Sequence, residues 1–211
     1  MMSNNLKVVC VLRSGGDFTP AYVANLERQV RKNTKQEIHF ICYTDMEDWW
    51  LPNVERVSLR KDWPGWWSKM EVFRMEGPAL YLDLDTAVFD SLDPMFEALS
   101  YHQSIGHRSF WMLKPFAKRE KWASGVMAWT GDWSDLFWDF DYAKAKDMEW
   151  DQRWISQEAS KEGEIRAVQD FLAPVYSFKH HCRENRPTDA RIVCFHGTPR
   201  PHQVGGEYFT V

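Results

Sequence analysis

Two carboxylates close an apolar run in this sequence, Leu80-Tyr81-Leu82-Asp83-Leu84-Asp85-Thr86. In a strand, i, i+2 spacing sets both side chains on one face. Their repulsion raises one of the two proton affinities unless a cation holds both ionised. Hard divalent ions such as Mg2+ or Mn2+ take oxygen ligands of this kind and share them with substrate phosphates. A plain solvated strand end fits the same residues, and spacing alone does not choose between the two. A second D-x-D, Asp139-Phe140-Asp141, falls in a helical pattern, where i, i+2 side chains point apart. Further on, Val193-Cys194-Phe195 runs into His196-Gly197-Thr198-Pro199-Arg200-Pro201. That segment offers an imidazole able to complete a metal shell, a glycine that lets a ligand approach the backbone and a planar guanidinium suited to phosphate. A structural turn with a satisfied histidine is its other reading.

The elements that must position these groups alternate along the chain. Residues 7–12 (KVVCVL) read as a buried strand ending in the turn Arg13-Ser14-Gly15-Gly16. Thr19-Pro20 marks a helix start, and Val23, Leu26 and Val30 recur at helical spacing to about residue 32. Strands follow at 38–43 and 54–59, a helix over 66–75, a strand at 79–84 and a short helix from Pro94 to residue 99. Later strands are expected at 123–129, 175–178 and 191–195, with helices at 134–145 and within 152–161. This alternation predicts an α/β sandwich with a mixed, mostly parallel sheet, in which ligands bind at the carboxyl ends of the strands. No repeat or low-complexity linker divides residues 1–211, so a single domain is expected.

Composition narrows the field. The 211 residues carry 26 Lys+Arg against 30 Asp+Glu, a net charge of −4, which gives no general polyanion-binding surface. Residues 114–121 and 179–186 are locally basic and keep nucleic acid in view. No run approaches the length of a spanning helix, and the polar first residues do not read as a leader. The four cysteines form no C-x-x-C pair. Cys10, Cys42 and Cys194 sit in apolar runs as small hydrophobes, Cys182 among basic residues has a reactive alternative, and a cytoplasmic protein with free thiols is expected. Twelve tryptophans are the unusual entry in the composition. Most are expected to pack the core, and one or two of Trp49, Trp50, Trp63, Trp66 and Trp67 to line a sugar or acceptor cleft.

Taken together, strand-Asp83-x-Asp85 and His196-Gly197-x-x-Arg200-Pro201 resemble nucleotide-sugar-dependent glycosyltransferases of the GT-A fold, a Rossmann-like α/β/α sandwich. The nearest resemblance is to family eight, the glycogenin and lipopolysaccharide galactosyltransferase group, and the whole string is similar to small glycosyltransferase-like proteins of bacteria and phages. The resemblance implies that Asp83, Asp85 and His196 bind Mn2+ (or Mg2+) and that Arg200, where the family usually has lysine, holds the diphosphate. By order along the chain it places Leu12, Arg13, Ser14 and Gly15, and Thr44 and Asp45, against the nucleotide. Lys69, about fourteen residues before Asp83, resembles the family's basic residue that reaches the donor sugar-phosphate; a solvated helix lysine is the alternative. Ser124-Gly125 resembles the segment beside the donor sugar, with Ala123 where asparagine is common. Asp151-Gln152 resembles the pair beside the anomeric carbon. Gly197 accompanies His196, and Lys179 is either a phosphate contact or a solvated strand end. Because adjacent strand residues face opposite ways, His180 and His181 are not expected to share a metal.

The implied reaction is transfer from a nucleoside diphosphate sugar, with a UDP-sugar expected and retention of configuration implied by family eight. Asp151 is the candidate base if the reaction inverts. The acceptor is open among a glycan, a protein, a small molecule and modified DNA. Two other classes stay open: a metal-dependent phosphohydrolase or nuclease, and a non-catalytic nucleotide- or glycan-binding module.

Overall fold

In the computed structural model, which describes residues 6–116 and 121–210, the strand–helix alternation becomes two sheets flanked by helices. Part of the basic stretch 114–121 and the polar first residues lie outside the described residues. The strands are β1 (Leu6–Leu12), β2 (Ile38–Thr44), β3 (Val54–Ser58), β4 (Ala79–Leu82), β5 (Thr86–Val88), β6 (Ser109–Leu113), β7 (Ala123–Thr130), β8 (Ile165–Ala167), β9 (Val175–Ser177) and β10 (Ile192–Cys194). The longer helices are α1 (Pro20–Lys32) and α2 (Asp93–Ser104), followed by the one-turn pair α3 (Asp135–Trp138) and α4 (Tyr142–Ala145), and then α5 (Asp151–Glu162). A 3-10 helix spans Gly65–Arg74.

Seven strands form the main sheet in the order β3-β2-β1-β4-β7-β6-β8. β3, β2, β1 and β4 are mutually parallel, β7 runs against β4 and β6, and β8 is parallel to β6. This is the mixed, mostly parallel sheet expected from the sequence. Burial on both faces follows from the period of two along each strand. Val8, Cys10 and Leu12 of β1, with Leu80 and Leu82 of β4, pack toward α1 and α2, where Val23, Leu26 and Val30 are buried. Val9 and Tyr81 pack on the opposite face with Trp67, Met70 and Phe73 of the 3-10 helix and Trp154 and Ile155 of α5.

The expected strand at 79–84 stops at Leu82, because the Asp83 carbonyl accepts the Thr86 amide at 3.0 Å and closes a turn. The chain then leaves the main sheet. β5 pairs antiparallel with β10, which pairs parallel with β9, forming a second, three-stranded sheet. Asp83 and Asp85 therefore sit in the turn that joins the two sheets, not on one face of a single strand. β6 and β8, the helix length beyond residue 99 and the 3-10 character of 65–74 were not legible in the residue pattern. Lys179, His180 and His181 lie on a helical turn, Phe178–His181, not on a strand. The Ser177 amide donates to His181 Nδ1 at 3.1 Å, a local bond that favours the turn. Asp139 and Asp141 fall at the break between α3 and α4, where Asp141 caps α4 by accepting from the Ala143 amide.

Candidate active site

The carboxyl ends of β1, β2 and β4 and the amino end of β7 meet at one edge of the main sheet, and the β4–β5 turn delivers Asp83 and Asp85 there. The 3-10 helix turns Lys69 inward. Its ammonium lies 2.8 Å from Asp151 Oδ2 and 3.1 Å from Asp83 Oδ1, and donates to Ser124 Oγ at 3.0 Å. Ser124 Oγ in turn donates to Asp151 Oδ2 at 2.7 Å. Tyr81, two residues before Asp83, donates its hydroxyl to Asp83 Oδ1 at 2.6 Å. Burial alone would lower the Lys69 pKa, but the Asp151 and Asp83 carboxylates outweigh it and hold the pKa above its ordinary value. Lys69 is thus a buried ion locked between carboxylates, not the solvated helix lysine that was its alternative reading.

Asp85 is also buried, and Arg200 Nη1 reaches its Oδ2 at 2.7 Å. The same guanidinium lies 3.3 Å from Asp17 and over the Phe18 ring. Burial, then the negative charge of Asp83, pushes the Asp85 pKa up to about 7 in spite of Arg200 and Lys69. The D-x-D carboxylates therefore feel one another while each is closed by a different cation. His196 lies beyond β10, where the Phe195 amide bonds the Asp85 carbonyl at 2.9 Å and ties that turn to the β4–β5 turn. Desolvation, opposed by the Asp83 carboxylate and reinforced by Lys179 and His180, lowers the His196 pKa from its ordinary value. Phe116 packs against it with ring centroids 5.1 Å apart.

This donor set, two mutually repelling carboxylates and a neutral imidazole, has the chemistry that suits a hard divalent ion. Among the described residues, however, no three His, Cys, Asp or Glu side chains converge into a ready-made metal cluster. Glycines keep the site open. A Cβ on Gly125 would stand 3.3 Å from Asp83 Oδ2, and Gly197 adopts φ +78°, with Lys179 Nζ 3.6 Å from where its Cβ would lie. The helical turn that replaced the expected strand therefore still brings Lys179 to the His196–Gly197 turn.

A second cluster forms after β1 and β2. Arg13 pairs with Asp45 at 2.9 Å and also with Asp62. The Ser14 amide donates to Asp45 Oδ1 at 2.8 Å and its hydroxyl to the other carboxylate oxygen. Against the burial that would raise it, the Ser14 donors and Arg13 hold the Asp45 carboxyl below its ordinary pKa. Thr44 Oγ1 accepts the Met46 amide and is occupied locally. Leu12 is wholly buried, its side chain in the core and its backbone paired with Thr44 of β2. Gly15 is exposed with φ +83°. Gln152 lies in the first turn of α5, half-buried, next to Asp151.

Sequence reasoning missed Tyr81, Asp17 and Asp62. Tyr81 carried a usable signal, since i, i+2 spacing on β4 aims it the same way as Asp83. Asp17 and Asp62 lie in loops whose reach no periodicity encodes. The reactive alternative for Cys182 is corrected: it is buried, and burial raises its thiol pKa. All four cysteines are free thiols. Trp63 and Trp67 pack against Phe140, as core. No helix among the described residues is long and apolar enough to cross a membrane.

Comparison with sequence profiles of known families gives no match, and comparison with curated proteins gives none. Solved structures do match. The galactosyltransferase LgtC, in complex with donor and acceptor sugar analogs, superposes over 92% of this chain and 88% of its own at 13% identity, with a TM-score of 0.54. The glycosyltransferase GlyE of Streptococcus pneumoniae TIGR4 matches over 93% of this chain at 12% identity and a TM-score of 0.61, and this chain spans 56% of GlyE. The fold is that of GT-A glycosyltransferases, as the D-x-D and His-Gly segments led one to expect.

Proposed function

We propose that this chain transfers a glycosyl group from a nucleoside diphosphate sugar, a UDP-sugar being the expected donor, to an acceptor hydroxyl. One observation carries the reading. Buried Lys69, Ser124 and Asp151 and half-buried Asp83 close into an ionic network beside the Asp85–Arg200 pair, at the strand edge where α/β folds bind ligands. The fold shared with LgtC and GlyE supports it.

Within this reading the site residues take the following roles. The turn of Arg13, Ser14 and Gly15, braced by Asp45 beside Thr44, forms the nucleotide rim. Asp83, Asp85 and His196 would hold Mn2+ or Mg2+, whose chemistry there is to neutralise charge on the leaving diphosphate. Lys69 keeps its charge at any workable pH and adds fixed positive potential from beneath. Arg200 and Lys179, on either side of Gly197, supply charge-assisted donors to the same oxygens. Ser124, Gly125 and Gln152 border the donor sugar. Asp151 Oδ2 already accepts from both Lys69 and Ser124. A carboxylate tied in that way suits steadying of positive character at the anomeric carbon better than proton abstraction, which favours retention over inversion. A cytoplasmic site of action accords with four free thiols.

The test is calorimetric titration of UDP with Mn2+, then with EDTA, beside Asp85→Ala. Metal-dependent binding lost in the variant is expected. Binding indifferent to EDTA assigns charge neutralisation to Lys69 and Arg200 alone. Failure of UDP, GDP and CDP to bind overturns the donor reading.

A further inference from the structure

Twelve tryptophans are costly to leave in water, and most here are not. On the 3-10 helix Trp67 is buried while its neighbour Trp66 stays 51% exposed; on α5 Trp154 is buried while Trp150, just before the helix, stays 39% exposed. The two exposed indoles meet each other, with centroids 5.6 Å apart and planes inclined at 37°. Both lie close along the chain to the ionic network. Trp66 precedes Lys69 by three residues, the spacing at which side chains eclipse on a 3-10 helix, and Trp150 is bonded to Asp151, 2.8 Å from Lys69. The turn that sets Trp150 is unusual too. Glu149 has φ +65°, the one positive φ at a non-glycine position among the described residues, a conformation that a bulky residue adopts at a cost.

From this juxtaposition we infer that Trp66 and Trp150 form an acceptor subsite that stacks a neutral sugar ring of a glycan at the mouth of the Lys69–Asp151 network. The acceptor role rests on the glycosyl-transfer reading. An indole pair presents apolar, electron-rich faces to the C–H groups of a pyranose while leaving its hydroxyls free. Charge argues for a neutral occupant. The two segments that carry the rings, residues 60–69 and 146–151, hold Arg60, Lys61, Lys69 and Lys146 against Asp62, Asp147, Glu149 and Asp151. The balance leaves no surplus positive charge to track a phosphodiester backbone, which base-stacking grooves need.

The test is binding of the full-length chain to an array of neutral glycans. The best-bound glycan is then titrated by calorimetry against wild type, a Trp66→Ala/Trp150→Ala variant and a Trp50→Ala/Trp138→Ala control that removes two other exposed indoles. UDP is titrated into all three in parallel. Glycan binding weakened at least tenfold in the first variant, unchanged in the control, with UDP affinity kept, is the expected result. Absence of any bound glycan, equal loss in the control, or binding of single-stranded oligonucleotides through these two rings overturns it. If glycan binding tracks Trp66 and Trp150 while no nucleotide binds, the subsite stands and the transferase reading falls.

Discussion

Replacing Lys69 with methionine keeps the side-chain stem and removes one buried charge. Its ammonium sits 2.8 Å from Asp151 Oδ2, and both side chains are about 6% exposed. At an effective dielectric of about 20, unit charges at that separation attract by roughly 6 kcal/mol. Most of this offsets the cost of bringing the two ions out of water. What the variant exposes is the carboxylate left alone, about 3–5 kcal/mol for a broken buried pair. Asp83 adds less, because its side chain is 31% exposed and retains the Tyr81 hydroxyl. Asp151→Asn in the Lys69→Met background removes the orphaned charge, so the double variant should be more stable than the two single losses predict, by about 1–3 kcal/mol. Urea unfolding followed by tryptophan fluorescence measures all four proteins. The folded-state pKa of Lys69 is raised above 10.5, so its contribution is complete below that value and is lost only as pH rises through the higher folded one. Lys69 itself does not titrate between pH 6 and pH 9, so the pH dependence of the Lys69→Met loss comes from the carboxylates it leaves, and the loss should be larger at pH 9, where Asp85 is ionised, than at pH 6. A single loss below about 1 kcal/mol, or additivity within about 0.5 kcal/mol, refutes the network as the brace of this site.

Asp85, with its pKa pushed up to about 7, must release a proton to take a metal. Mn2+ affinity should fall by up to about tenfold from pH 7 to pH 6, with proton release visible as buffer-dependent heats in calorimetry; a flat profile refutes the assignment. In the metal-free protein the same raised pKa means that Asp85's stabilising contribution is fully present below about 4 and is lost as pH rises through 7, which thermal unfolding across that range can read. Gly125→Ala places a Cβ 3.3 Å from Asp83 Oδ2, so UDP–Mn2+ affinity should drop about tenfold while urea stability stays within about 1 kcal/mol of wild type. The buried thiols Cys10, Cys42, Cys182 and Cys194 should resist a thiol-titrating reagent in the native protein and all react in urea.

The strands that build the site were legible because both faces of the sheet are buried. KVVCVL and IHFICY are apolar runs broken only by Lys7 and the exposed His39 near their starts, and such runs tolerate little else. Val23, Leu26 and Val30 located α1 for the corresponding reason on a helix. β5, β6 and β8 escaped; β5 and β8 are three residues each and are held by partners distant in sequence, whereas β9 and β10, just as short, are the strands expected at 175–178 and 191–195. The same limit explains the site. Asp83, Asp85 and His196 stood out as residue types at strand ends, but sequence could not say that Lys69 would lie buried between Asp83 and Asp151, or that Arg200 would close on Asp85 across 115 positions. Those pairings are set by the jump from β4 in one sheet to β5 in the other, a tertiary event with no local signature beyond a turn. What the chain spells locally is the chemistry available. Which carboxylate meets which cation is decided by how two sheets share one turn, and so the Lys69 cycle tests the topology as much as it tests the residues.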